Sequence, residues 1–196
     1  MKNSEIVKIA NKLSNQRLFR KITWSDCGYI DVLEILHEYN INFKKIDFKL
    51  LKNGMEDDAC VYLNNNKYTI CVQYDLIEER KRYAIAVQIG HIFLNHINEK
   101  NDFISLFSNK TGYKIIDGMD TKLIEAIFFA KELLMPKEDV LRESQKPISL
   151  FLSRLTEIFY VSNIAMRNRL DELSILIASV SNAVELLSLL QFSFVL

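Results

Sequence analysis

The sequence predicts an α+β fold in which helices dominate and one small antiparallel sheet packs on a long helix. Three observations carry this. The 196 residues include only five glycines and two prolines, so few segments are interrupted and helix is favoured. Three short runs read as strands: Lys45-Ile46-Asp47-Phe48, Ala59-Cys60-Val61-Tyr62-Leu63 and Tyr68-Thr69-Ile70-Cys71-Val72. An unbroken stretch from about Leu76 to His96 follows them and reads as one long helix capped by Asp75.

The remaining elements follow in order. Ser4 is placed to cap a first helix with Ile6, Ile9, Ala10 and Leu13 on its apolar stripe. A second helix runs roughly from Tyr29 to Tyr39, with Ile30, Leu33, Leu36 and His37 at helical spacing; His37 reads as a surface or core histidine rather than a ligand. Asn64-Asn65-Asn66 marks a hairpin between the last two strands, because Asn tolerates left-handed backbone angles. Residues 97–119 are polar and irregular and read as a loop of lid or rim length. A further helix begins near Asp120-Thr121 and stops at Met135-Pro136. After Pro147 come a helix to about Phe159, a turn at Val161-Ser162 and a helix through Met166 and Leu170.

Bulk properties exclude several classes. Twenty-five basic and 25 acidic residues cancel, which removes electrostatic support for non-specific nucleic-acid binding. The N-terminus lacks the basic-then-apolar layout of a secretory signal, so a cytoplasmic protein is expected. Cys27, Cys60 and Cys71 lack CxxC spacing and read as reduced thiols. Cys60 and Cys71 could face each other across the hairpin, either as buried apolar thiols or as a disulfide or metal pair. From Leu173 to Leu196 the only charge is Glu185. A helix buried in the core or in a homodimer interface is expected over residues 174–196; a membrane span would strand Glu185 near mid-bilayer.

The long helix carries the most informative pattern. Zinc peptidases present His-Glu-x-x-His on a helix, with both histidines on one face and the glutamate as general base. In Arg82-Tyr83-Ala84-Ile85-Ala86-Val87-Gln88-Ile89-Gly90-His91, Val87 and Gln88 stand where the first histidine and the glutamate belong, and His91 holds the second histidine position.

Three blocks in order extend this. Residues 80–96, from Arg80 to His96, look like "RxRFTxAHExGHxxLH"; residues 125–136, from Glu125 to Pro136, look like "EANxFAxxLLMP"; residues 155–170, from Leu155 to Leu170, look like "LxxxFxVSxxAMxxRL". On these blocks the chain resembles the ImmA/IrrE family of zinc metallopeptidases over roughly residues 1–172. The resemblance implies a zincin-like fold, a small sheet against an active-site helix, with a second helix supplying a glutamate ligand. It divides the chain into a peptidase-like part, 1–145, and a helical C-terminal part, 146–196. It also implies a protein substrate, typically a repressor of a mobile element or stress regulon. Carried over by position, Val87 falls on the first metal histidine, Gln88 on the general base, His91 on the second histidine and Glu125 on the third ligand. Ile127 replaces the asparagine that usually follows.

These departures act on the chemistry. Catalytic zinc needs three protein ligands and an open position for water, and a carboxylate takes the water's proton. Val87 has no lone pair, and the Gln88 amide cannot accept a proton at neutral pH. His91 and Glu125 remain as vestigial ligands, no cofactor is expected, and zinc would require rescue by another residue. On a continuing helix His96 lies ~140° around from His91, on another face. A metal-free groove is therefore expected, with His91 and Glu125 converging near Gln88 and Val87 filling the ligand gap. Alone, His91 would pass as a core histidine and Glu125 as the first-turn acid of a helix. Glu78, Glu79, Arg80, Lys81 and Arg82 read as a solvated mixed-charge turn.

Three functions follow. The first is a pseudopeptidase that binds a protein partner, such as a helix-turn-helix repressor or an antitoxin, without cutting it. The second is an active metallopeptidase with a rewired site. The third is a DNA-binding regulator using the helix-turn-helix-like segment 148–172, with Asn163, Arg167, Asn168 and Arg169 reaching DNA. Six basic and six acidic residues over 137–172 leave that segment without the net positive charge that phosphate neutralisation needs, so a nucleic-acid partner is disfavoured.

Overall fold

A computed structural model describes residues 1–15, 20–21, 28–50, 57–97, 103–107, 118–145 and 151–175. The expected tail helix lies almost wholly outside these residues, since its described part ends at Ile175. Among the described residues no helix is long and apolar enough to cross a membrane.

Helix α1 (Asn3–Asn15) buries Ile6, Ala10 and Leu13, as their spacing predicts. Ser4 lies inside it; just ahead of the helix the Lys2 N–H donates to the Glu5 carboxylate at 3.2 Å. The two-residue strands β1 (Arg20–Lys21) and β2 (Gly28–Tyr29) pair antiparallel. Because Tyr29 belongs to β2, the second helix, α2 (Val32–Glu38), starts later than expected, with Asp31 accepting from the Leu33 N–H at 2.9 Å as its cap. His37 is on the surface, and Leu33 is half exposed.

Strands β3 (Asn42–Ile46), β4 (Asp57–Asn64) and β5 (Lys67–Gln73) occupy the expected region. Asn65 and Asn66 turn the β4–β5 hairpin with φ of 49° and 58°, the left-handed pair a two-residue turn requires. The sheet order is β3-β5-β4-β6. This corrects the expectation of a purely antiparallel sheet: β3 pairs parallel to β5. Strand β3 skips β4 and joins β5 on the side opposite the hairpin partner, running in the same direction as β5. The edge strand β6 (Phe103–Phe107) pairs antiparallel with β4 inside the segment expected to be loop. Phe-Ile-Ser-Leu-Phe is a strand-forming run, but its polar flanks obscure it.

Helix α3 (Glu78–Phe93) is the centre of the molecule: residues 81–91 are all buried. One side rests on β4 and β5, another on α4 (Thr121–Leu134). Asp75 does not cap α3; Ile77 holds that position, and Asp75 accepts from Gln73 Nε2 at 2.7 Å. Gly90 explains how α3 and α4 come so close. A Cβ there would lie 3.0 Å from both the Ala126 carbonyl oxygen and the Phe129 ring. Asp120 caps α4, accepting from the Leu123 N–H at 3.1 Å. Pro136 ends α4 and, needing no N–H partner, opens the unanticipated helix α5 (Lys137–Ser144). Helices α6 (Phe151–Phe159) and α7 (Asn163–Glu172) follow, with Ser162 capping α7 as expected. Leu155, Ile158, Phe159, Met166 and Leu170 join the same core as Ile85, Ile89 and Phe129.

Candidate functional site on the central helix

Val87, Gln88 and His91 share the C-terminal half of α3 and are 0–1% exposed. Val87 contributes only hydrocarbon. Gln88 donates through Nε2 to the Ala59 carbonyl at 3.4 Å, while its Oε1 is buried without a partner. Glu125 sits in the first turns of α4, opposite the end of α3.

The end of α3 corrects the sequence reading. The helix does not continue to His96. Asn95 takes a left-handed conformation (φ 58°), its N–H bonds the Ile92 carbonyl, and the His96 N–H bonds the His91 carbonyl at 2.9 Å. This is the reversal of a Schellman motif, with Asn in place of the usual Gly. It folds His96 back over His91, so the angular argument from a continuous helix does not apply. His96 Nδ1 lies 3.0 Å from His91 Nδ1, and His96 Nε2 lies 3.0 Å from a Glu125 carboxylate oxygen. Thus His91 and Glu125 are bridged by His96 rather than bonded to each other. The other Glu125 oxygen meets the Met1 ammonium group.

The hydrogen bonds fix the tautomers. Glu125 can only accept when ionised, so His96 donates from Nε2 and accepts at Nδ1. His91 must then donate from Nδ1, which leaves a lone pair on its Nε2. That nitrogen is buried and, among the described residues, has no partner. Burial, and then the neighbouring His96, lower the His91 pKa from 6.5 to about 3, so the ring stays neutral. Burial also lowers His96, against the pull of Glu125. The Met1 ammonium, with His96, lowers Glu125 and keeps it ionised.

The donor set does not fit a catalytic zinc. His91 offers one free lone pair, but Val87 offers none, and His96 turns its two nitrogens in opposite directions. Among the described residues no three His, Cys, Asp or Glu side chains are placed to hold a metal. Gln88 supplies no base.

At the other end of α3 the expected solvated turn is a correction too. Lys81 and Arg82 are buried, and Arg80 pairs with buried Asp58 at 2.7 Å. Arg82 donates to the carbonyls of Ile30 (2.7 Å), Phe159 (3.2 Å) and Tyr160. Its guanidinium lies 5.1 and 5.0 Å from the Tyr29 and Tyr160 ring centroids. Desolvation lowers its pKa to about 10, still leaving it charged. No local pattern marks this role, since its three acceptors lie 52, 77 and 78 residues away.

Of the residues considered for DNA contact, Arg169 is buried and ion-paired with Glu132 at 2.6 Å. Asn163 and Arg167 are exposed. Cys60 and Cys71 do face each other across the hairpin, as free buried thiols.

Residues 36–171 match the family described as the IrrE N-terminal-like domain, a peptidase family. The chain belongs to this family. The match spans the three blocks and the sheet, so the mixed α+β architecture is an IrrE-like, zincin-like domain. No curated protein matches the chain.

Proposed function

We propose that this member of the IrrE-like family is a pseudopeptidase, which keeps the domain and binds a protein partner, such as a repressor or an antitoxin, without cleaving it. The observation that supports this is the joint replacement at Val87 and Gln88. Both side chains are fully buried where a metal ligand and a general base are required. A catalytic zinc site with neither has no ligand set to hold the metal and no group to take the proton of its water.

One observation favours a rewired metallopeptidase as a second reading: His96 contacts both His91 and Glu125. Metal analysis of the purified chain separates the two. The pseudopeptidase reading expects substoichiometric zinc, and a tight one-to-one zinc abolished by His96→Ala supports rewiring. The variant Val87→His with Gln88→Glu should gain zinc affinity over either single change, as read by competition with a chelating dye. A folded double variant that binds no more zinc than the parent chain would mean the groove has diverged beyond those two positions.

A further inference from the structure

The sheet face turned away from α3 carries a row of polar and sulfur side chains at one level across all four strands. The register sets Lys44 of β3 beside Cys71 of β5, Cys71 opposite Cys60 of β4, and Cys60 opposite Ser105 of β6. Neighbours at one level share a face. Val61, Ile70 and Val72 point to the main core, whereas Cys60 and Cys71 pack with Phe48 in a separate small cluster. Both thiols are free and buried. Ser105 donates to Asp57, whose other oxygen is buried without a partner.

The backbone register sets the two cysteines directly opposite each other. Pairs in a two-residue hairpin alternate between hydrogen-bonded and non-hydrogen-bonded, starting hydrogen-bonded at Asn64↔Lys67. Counting back, Cys60↔Cys71 is a hydrogen-bonded pair. Such pairs hold their Cα atoms about 5.5 Å apart, within the range that a disulfide spans, but their Cβ atoms, about 5.5 Å apart, must draw together to about 4 Å, so the bond formed is strained and readily reduced.

The surroundings make the pair unequal. The neighbouring Cys60 thiol, aided by the exposed Lys44, lowers the Cys71 thiol below its ordinary range. The neighbouring Cys71, with burial and the Asp57 charge, pushes Cys60 up. Both thiols are buried, and the exposed Lys44 lies beside Cys71 on the edge strand β3.

We propose that Cys71 and Cys60 form a peroxide-responsive dithiol, with Cys71 as the attacking thiolate and Cys60 as the resolving thiol. The Cys71 sulfur attacks one peroxide oxygen, the O–O bond breaks, and the departing oxygen takes a proton and leaves as water or an alcohol. Cys71 is then a sulfenic acid. The Cys60 sulfur attacks the Cys71 sulfur, an S–S bond forms, the S–O bond breaks, and hydroxide leaves as water with the Cys60 proton. The two sulfurs lose two electrons in all and the peroxide gains them. The disulfide locks the register of the hairpin on which α3 rests.

The test uses the full chain carrying Cys27→Ser, so that these are the remaining thiols. After hydrogen peroxide and a quench, the intact mass should fall by two hydrogens. Both thiols should resist alkylation in denaturant, and dithiothreitol should restore them. Cys60→Ser should leave a sulfenic acid on Cys71 that dimedone traps, and Lys44→Gln should slow the reaction several-fold. The proposal is overturned if both thiols still alkylate after peroxide. It is equally overturned if the product gains oxygen without losing hydrogen, or if Cys71→Ser leaves Cys60 reacting as fast as Cys71 does in Cys60→Ser.

Discussion

At the N-terminal end of α3, Arg82 spends its donors on three backbone carbonyls and lies between two tyrosine rings. Two turns later on the same helix, Gln88 Oε1 and His91 Nε2 are buried with no partner. Both regions are desolvated, so both carry the same penalty for a polar group left alone. The difference is that Arg82 ties α3 to β2 and to the end of α6, and so holds the fold together. Gln88 and His91 each pair one polar atom, with Ala59 and His96, and among the described residues leave the other without a partner.

The largest expected effect breaks the satisfied end. Arg82→Met fills similar volume but leaves three carbonyls without donors, and should cost about 3–5 kcal/mol by urea unfolding. A cost under about 1 kcal/mol would mean that water replaces the guanidinium and the contrast between the two ends is false.

An intermediate effect is expected at Gly90, where the two regions share one close helix contact. Gly90→Ala improves helix propensity but drives a methyl group into Ala126 and Phe129, so a net loss of about 1–2 kcal/mol is expected in thermal melting. A stabilised variant would show that α4 can retreat and that the approach is loose.

The smallest effect at neutral pH belongs to the unsatisfied end. His91→Leu should change stability at pH 7.5 by no more than about 1–2 kcal/mol, because it removes one orphaned nitrogen while leaving His96 Nδ1 short of a donor. The sharper readout is the pH dependence. The folded chain holds His91 neutral down to about pH 3, whereas the unfolded chain protonates it near 6.5. Below pH 6.5 the unfolded state therefore binds a proton that the folded state refuses. Stability should fall with pH toward 3, by at most about 1.4 kcal/mol per unit from this group. His91→Leu should flatten that slope. An unchanged slope would show that His91 reaches water and is not sealed.

The sequence by itself determined the family, the central helix, the Asn65-Asn66 hairpin, the Ser162 cap and the absence of a lone pair at Val87 and of a proton acceptor at Gln88. Each of these rests on local chemistry: a turn that needs left-handed residues, a cap that needs a hydroxyl, a metal that needs a lone pair. Tertiary structure alone decided the rest. Whether β3 runs parallel depends on which strand it joins, a choice made by the whole sheet. Whether Arg82 is solvated depends on carbonyls about 50 to 80 residues away. His96 is the intermediate case. The sequence reads as helix through His96, but Asn95 ends it, and only the folded chain brings the reversed His96 against Glu125, because that contact joins the ends of two helices 29 residues apart in sequence.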